Sequence, residues 1–310
     1  NNCRGIVLSS VRSGKTRILL KTIERYFKDK NPKVLVLYPN IDIKLSWEKE
    51  CEIIDYFPDI TYCTFASISK IIDEKWDIVI IDEAHLLAPD TQLVAAGDIA
   101  LNNKHVIFAS GTYNKDTLSD IKFYTKLNLI VNYPTSEAIK DGIVSDFTVY
   151  VHKYELNNSK IIQFGKVKKW NSTEKKECNR LGNRILKLSG QQKMFASLER
   201  MRFINSCNSL IEKVNKWISE NKNERFILFS SDEKTGLRYN LPMFNSKSKD
   251  DSVLKDFQSG KINQLCLLKK ASAGVTFPNL QNILITAINS NGETLEQMIG
   301  RSLLDDTDHS

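Results

Sequence analysis

Along the first 135 residues, short apolar runs alternate with amphipathic stretches. Four runs, at 5–9, 34–38, 77–81 and 105–110, have strand length and are followed by polar or turn-forming residues. Between the first two, residues 16–28 place Leu19, Leu20, Ile23, Tyr26 and Phe27 at helical spacing. That segment is predicted to pack one face on a sheet. Strands alternating with helices predict a parallel sheet covered on both faces, a doubly wound α/β lobe.

The pattern lapses around Tyr133, Pro134, Thr135 and Ser136, and a new alternating run, FTVYVHKYEL at 147–156, reads as a strand. Residues 157–188 are polar and rich in Lys and Arg without a strong period, which predicts a basic insertion on the surface. Helical spacing returns with Leu210, Ile211, Val214, Trp217 and Ile218, followed by strand-like runs at 225–230, 264–268 and 282–286. The expectation is two α/β lobes, 1–138 and 139–310, each a mainly parallel sheet flanked by helices.

Composition agrees with two lobes. With 310 residues and 41% hydrophobic content, the chain is long enough for two cores of ordinary size. Its longest apolar runs are of strand length, well short of the ~20 residues needed to cross a bilayer. No membrane partner and a cytoplasmic location are expected. The first residues show neither an initiator Met nor a signal pattern, so the numbering is expected to begin inside a longer gene product. The six cysteines stand singly, without metal-ligand spacing, which fits a reduced protein lacking structural zinc. A net charge of +7 suits a polyanionic partner, because cations that neutralise phosphates release counterions.

Two motifs carry chemistry. SSVRSGKT, residues 9–16, follows a predicted strand and opens a predicted helix. In that context the exposed N–H groups of Ser10, Val11, Arg12, Ser13 and Gly14 cradle phosphate, Lys15 reaches the β- and γ-phosphates, and the Thr16 hydroxyl ligates Mg²⁺. Ser9 stands where the first glycine of this pattern usually sits. WDIVIIDEAH, residues 76–85, brings two adjacent carboxylates to the C-terminal end of a strand, the edge at which parallel sheets bind ligands. Asp82 there would hold Mg²⁺ and Glu83 would polarise the attacking water.

These two blocks resemble motifs I and II of superfamily 2 helicases of the DEAH type, and further blocks follow in family order. YPN at 38–40, with Trp47 beyond it, resembles motif Ia, and TFASISK at 64–70 resembles motif Ib. SGT at 110–112 resembles motif III, ILFSS at 227–231 motif IV, SAGVTFPNLQNILI at 272–285 motif V and EQMIGRSLLDD at 296–306 motif VI. GVTFPNL and the compact size look most like phage helicases of the UvsW type and their DNA-repair relatives.

The resemblance implies two RecA-like lobes that use ATP and Mg²⁺ and act on nucleic acid, DNA in preference to RNA. Protein partners in a replication, recombination or transcription complex are a further implication. It assigns γ-phosphate sensing to Gln297 and an arginine finger to Arg301, which join Lys15 and Glu83 as catalytic residues. His85, Ser110, Thr112 and Gly274 would couple the nucleotide to the strand, and Asn40, Thr64, Ser67, Ser230 and Ser231 would contact its backbone. The basic segment GKVKKW, 165–170, offers a further grip with Trp170 as a stacking ring.

Two departures from the family bear on the hydrolysis rate and on the link between γ-phosphate and nucleic acid, in that order. Leu304 replaces the last arginine of motif VI, and Thr276 replaces the acidic residue common in motif V. They leave a second reading open, a nucleic-acid-binding complex subunit that uses ATP as a switch and hydrolyses it weakly. A third, a simple nucleotide kinase, accounts for residues 9–16 but not for the second lobe.

Overall fold

A computed structural model of the chain describes residues 3–28, 30–88, 91–112, 115–165, 169–245, 251–268, 277 and 280–286. The chain divides into two compact units, the first reaching Phe147 and the second beginning at Thr148.

The first unit runs β1 (Arg4–Ser9), α1 (Lys15–Phe27), β2 (Lys33–Tyr38), α2 (Ile41–Ile54), β3 (Asp59–Thr64), β4 (Ile78–Asp82), α3 (Gln92–Asn102), β5 (Val106–Ser110), α4 (Lys115–Thr125), β6 (Leu129–Tyr133) and α5 (Thr135–Lys140). Its six strands lie in the order β3-β2-β4-β5-β1-β6, every pairing parallel. The central strands are buried on both faces, so they read as continuous apolar runs, as parallel strands between helices do.

Strand alternation divides this core in two. Leu35, Leu37, Val79, Ile81, Val106 and Phe108 face α3 and α4, where Leu93, Ala96, Ile99 and Ile121 meet them. Val34, Val36, Ile78, Ile80, Ile107 and Ala109 face α1 and α2, where Leu19, Leu20, Ile23, Trp47 and Cys51 meet them. The period of two therefore aims Asp82, four residues after Ile78, at the face that carries α1 and α2. Gly97 lets α3 and α4 approach closely, since a Cβ there would stand 3.0 Å from the Tyr124 carbonyl oxygen.

The second unit runs β7 (Ile162–Phe164), β8 (Trp170–Ser172), α6 (Glu174–Leu186), α7 (Gly190–Ser206), α8 (Asn208–Glu220), β9 (Phe226–Ser230), α9 (Glu233–Gly236), β10 (Met243–Phe244), α10 (Ser252–Gln258), β11 (Gln264–Leu268) and β12 (Asn282–Ile285). A parallel sheet ordered β10-β11-β9-β12 packs Phe226 and Leu228 against Leu210, Ile211 and Val214 of α8. Trp217 meets Phe226 edge-on at 5.3 Å between ring centroids.

One expectation is corrected here, and one segment without a strong period is found to hold regular elements. The run 147–156 forms no strand. Its alternation is genuine, but the adjacent Tyr150 and Val151 are 78% and 82% exposed, so neither face is covered there and no ladder forms. Conversely, the polar stretch 157–188 is built from the β7–β8 hairpin and α6. Cys178 and Leu181 are buried one helical turn apart, and α6 is capped by Thr173, whose side chain accepts from the Lys176 N–H. The surrounding Lys, Arg and Glu residues hide that narrow period from a reading of the sequence.

Candidate nucleotide site

The loop between β1 and α1 is braced by its own serines. Ser9 Oγ lies 2.6 Å from Ser13 Oγ, and Ser13 Oγ lies 2.7 Å from the Ser10 carbonyl oxygen. Ser9, in the place of the usual glycine, is thus a buried strut. Ser10 ties the loop to its neighbour, donating its N–H to the Tyr133 carbonyl at 2.8 Å and its hydroxyl to Thr135 Oγ1 at 3.2 Å. Arg12 and Gly14 have φ of 69° and 74°, which folds the loop back over the start of α1. Glycine adopts that conformation at little steric cost, while arginine does so under strain. Burial lowers the pKa of the Arg12 guanidinium.

Lys15, the first residue of α1, reaches across to the end of β4. Its Nζ stands 3.0 Å from Asp82 Oδ1 and 3.3 Å from Glu83 Oε1. Burial by itself would lower the lysine pKa, but the two carboxylates outweigh it and hold the ammonium well above its usual range. Asp82 is 2% exposed and fully engaged. Its Oδ1 also accepts the Glu83 N–H at 2.9 Å, and its Oδ2 accepts the indole N–H of Trp47 at 2.9 Å. Glu83 leaves the strand with φ of 51°, which turns its side chain from the sheet to the loop.

The donor set suits a small hard dication. Mg²⁺ takes one or two protein oxygens and completes its octahedron with phosphate and water. The Asp82 carboxylate and the Thr16 hydroxyl, which makes no hydrogen bond among the described residues, are donors of that kind. Among the described residues no group of three or more His, Cys, Asp or Glu side chains gathers to hold a metal.

Behind the carboxylates lies a buried polar relay. His85 Nδ1 stands 2.6 Å from Ser110 Oγ and 3.4 Å from Glu83 Oε2. Ser110 in turn donates to the Thr112 carbonyl at 2.7 Å and accepts the Thr112 N–H at 3.2 Å. The end of β4 and the end of β5 are thereby joined through three side chains and one turn.

Comparison with known proteins bears on both units. Residues 201–303 match the family model described as helicase conserved C-terminal domain, and residues 5–132 match the model described as thymidine kinase. The chain is 20% identical over 333 residues to the DNA 3'-5' translocase XPB2 of Sulfurisphaera tokodaii, covering 97% of this chain and 74% of that one. The Hef helicase domain of Pyrococcus furiosus superposes with a TM-score of 0.54 at 11% identity, over 97% of this chain and 90% of that one. S. cerevisiae Dbp5 bound to RNA and ADP BeF3 does so with a TM-score of 0.55 at 13% identity, over 96% and 76%. The likeness to solved structures shows the fold: parallel sheets flanked by helices, as in RecA-like helicase domains. Residues 201–303 are thus similar to a helicase C-terminal domain, and the chain is similar in sequence to a DNA translocase.

Of the residues singled out in the sequence, the structure gathers Ser10, Val11, Arg12, Ser13, Gly14, Lys15, Thr16, Asp82, Glu83, His85, Ser110 and Thr112 in the first unit, at the C-terminal edge of its sheet or in the loops that leave it. Asn40 ends the loop after β2. Thr64 closes β3, and its hydroxyl donates to Ser67 at 3.4 Å. In the second unit Ser230 has no exposed surface and donates to the Asp232 carbonyl at 3.0 Å, so its hydroxyl is spent inside the fold. Ser231 is the accessible member of that pair. Trp170 donates to Glu177 at 3.1 Å and lies under the Arg180 guanidinium, so its ring serves α6. Gly274, Thr276, Gln297, Arg301 and Leu304 lie outside the described residues. The sequence marked Trp47 only as a landmark beyond motif Ia; its bond to Asp82 joins residues 35 positions apart.

Proposed function

We propose that this chain is an ATP-dependent translocase or helicase acting on DNA, with Mg²⁺ as its metal. The observation that carries the proposal is the paired contact of Lys15 with Asp82 and Glu83 under a phosphate-type loop, in a chain whose second unit matches a helicase model. The similarity to XPB2, a DNA 3'-5' translocase, supports DNA as the track.

In this reading the loop N–H groups and Lys15 bind the phosphates and fix the nucleotide. A magnesium ion held by Asp82 and Thr16 would neutralise charge on the β- and γ-phosphates. Glu83 accepts a hydrogen bond from the attacking water and takes its proton as the new P–O bond forms and the bond to the leaving ADP oxygen breaks. The resemblance would give the remaining cationic and γ-phosphate contacts to Arg301 and Gln297. His85, through Ser110 and Thr112, ties the state of Glu83 to the turn after β5.

The deciding experiment measures ATP turnover with and without single-stranded, duplex, forked and RNA ligands. Stimulation by DNA supports the motor; equal basal and stimulated rates overturn it. Glu83→Gln is expected to abolish turnover while ATP still binds. A second reading follows from the thymidine kinase match over residues 5–132. Those residues include the loop and the acidic strand that any phosphoryl-transfer enzyme of this type needs, whereas the helicase match of the second unit has no place in it. Transfer of phosphate from ATP to thymidine, assayed beside hydrolysis, separates the two.

A further inference from the structure

Trp47 and Asp82 form a buried hydrogen-bonded pair between α2 and the end of β4. Trp47 is 0% exposed, on the inner face of α2 with Ile43 and Cys51 at helical spacing. Its indole N–H meets Asp82 Oδ2 at 2.9 Å, while Asp82 Oδ1 takes the Lys15 ammonium and the Glu83 N–H. The two oxygens of one carboxylate are thus assigned different partners. An apolar ring would fill the same space, and this chain tolerates a buried indole whose N–H has no partner among the described residues, that of Trp76. The hydrogen bond from Trp47 is therefore a placement of Asp82 and not a by-product of packing a large ring.

An indole is suited to that task. It offers one donor in a fixed direction, carries no charge to compete with a cation, and is held rigidly by the core around it. A lysine or arginine in its place would cancel part of the charge that Asp82 offers to a metal. By fixing the plane of the carboxylate, the indole leaves Oδ1 to meet Lys15 at the end of the phosphate loop.

We propose that Trp47 is a positioning residue for metal-nucleotide binding: it locks Asp82 through Oδ2 so that Oδ1 faces the phosphate loop. The proposal rests on the reading of Asp82 as the carboxylate that holds Mg²⁺. Trp47→Phe keeps the ring and removes the donor. With ADP as the probe, its affinity in EDTA is expected to stay within about twofold of the parent chain, while the gain in affinity on adding Mg²⁺ falls about fivefold or more. In an Asp82→Asn background, Trp47→Phe is expected to cause no further loss of the Mg²⁺ response, because two residues that act through one contact are not additive.

A purely structural tryptophan would weaken ADP binding with and without Mg²⁺, and in both backgrounds; that result overturns the proposal, as does a Trp47→Phe chain with an undiminished Mg²⁺ response. If the parent chain binds ADP equally with and without Mg²⁺, the metal reading fails and takes the proposal with it. Should Trp47→Phe not fold, tryptophan emission of the parent chain and of Asp82→Asn decides. A change on adding Mg²⁺ and ADP that Asp82→Asn abolishes supports the pair, and emission indifferent to the metal in both overturns it.

Discussion

His85 Nδ1 and Ser110 Oγ stand 2.6 Å apart in the interior, joining the second residue after the acidic pair to the last residue of β5. Ser110 is fully buried and serves both the N–H and the carbonyl of Thr112 as well. Ser110→Ala takes one hydrogen-bond partner from His85 Nδ1 and from the N–H and the carbonyl of Thr112. A loss of ~1–3 kcal/mol in stability is expected, since a buried group deprived of its hydrogen bond bears the full cost of its desolvation. Urea unfolding measures that loss. ATP affinity is expected to stay within about threefold and turnover to drop about tenfold, because the binding loop is untouched while the support of Glu83 is not. Equal losses in both would mean that the relay only holds the fold.

Lys15 is the cation shared by Asp82 and Glu83. Lys15→Ala is expected to weaken ATP binding at least tenfold and to cost ~3–5 kcal/mol of stability, because Asp82 is left buried without its counter-ion. With its folded pKa raised, the lysine's stabilising contribution is complete below its unfolded pKa of about 10.4 and disappears as pH rises through the folded value. Between pH 6 and 9 the difference in unfolding midpoint between Lys15→Ala and the parent chain should therefore be flat.

Two residues of the phosphate loop share a left-handed backbone and differ in its cost. A Cβ at Gly14 would meet nothing within 4 Å, so Gly14→Ala tests backbone strain alone and is expected to cost ~1–2 kcal/mol. Arg12→Gly runs the other way, with a gain of up to about 1 kcal/mol in stability and a weaker hold on ATP, because strain at such positions persists where function uses the side chain. Thermal unfolding and a nucleotide titration on each variant check both halves. An Arg12→Gly chain that binds ATP as tightly as the parent would remove the guanidinium from the binding site.

Acid should loosen the second unit. Asp232 caps α9 by accepting the Thr235 N–H at 2.9 Å; burial pushes its carboxyl up, but hydrogen bonds from Ser231 and Thr235 prevail and hold it below its ordinary value. Glu177, bonded by Arg180 at 2.7 and 2.8 Å against the opposing effect of burial, is also held low. For groups whose folded pKa is depressed, the stabilisation is present above the unfolded pKa, about 4, and is lost as pH falls through the folded value. Asp232→Asn keeps a good cap without the charge. Its unfolding midpoint should fall less steeply than the parent's between pH 5 and 3; identical slopes would rule out Asp232 as a contributor.

The fold was most legible where burial is two-sided. β2, β4 and β5 stand out as unbroken apolar runs because both faces are covered, and the loop and acidic pair follow from their positions at strand ends. β3 and β6 are edge strands with much of their surface half buried or exposed, so their runs carry little contrast. Exposure, which no local pattern reports, also unmade the strand expected at 147–156.

What the sequence determined by itself is the identity and order of the chemical groups: a loop that cradles phosphate, a lysine, a hydroxyl and two carboxylates, each at a spacing that a strand-to-helix turn requires. The tertiary structure decided which of those groups touch. Lys15 meets Asp82 across 67 positions and Trp47 meets it across 35, because parallel strands bring their C-terminal ends to one edge and the period of two aims Asp82 at the face where α1 and α2 lie. A side chain's partner depends on packing between elements distant in sequence, so Trp47 was only a landmark until the sheet placed a carboxylate beside it.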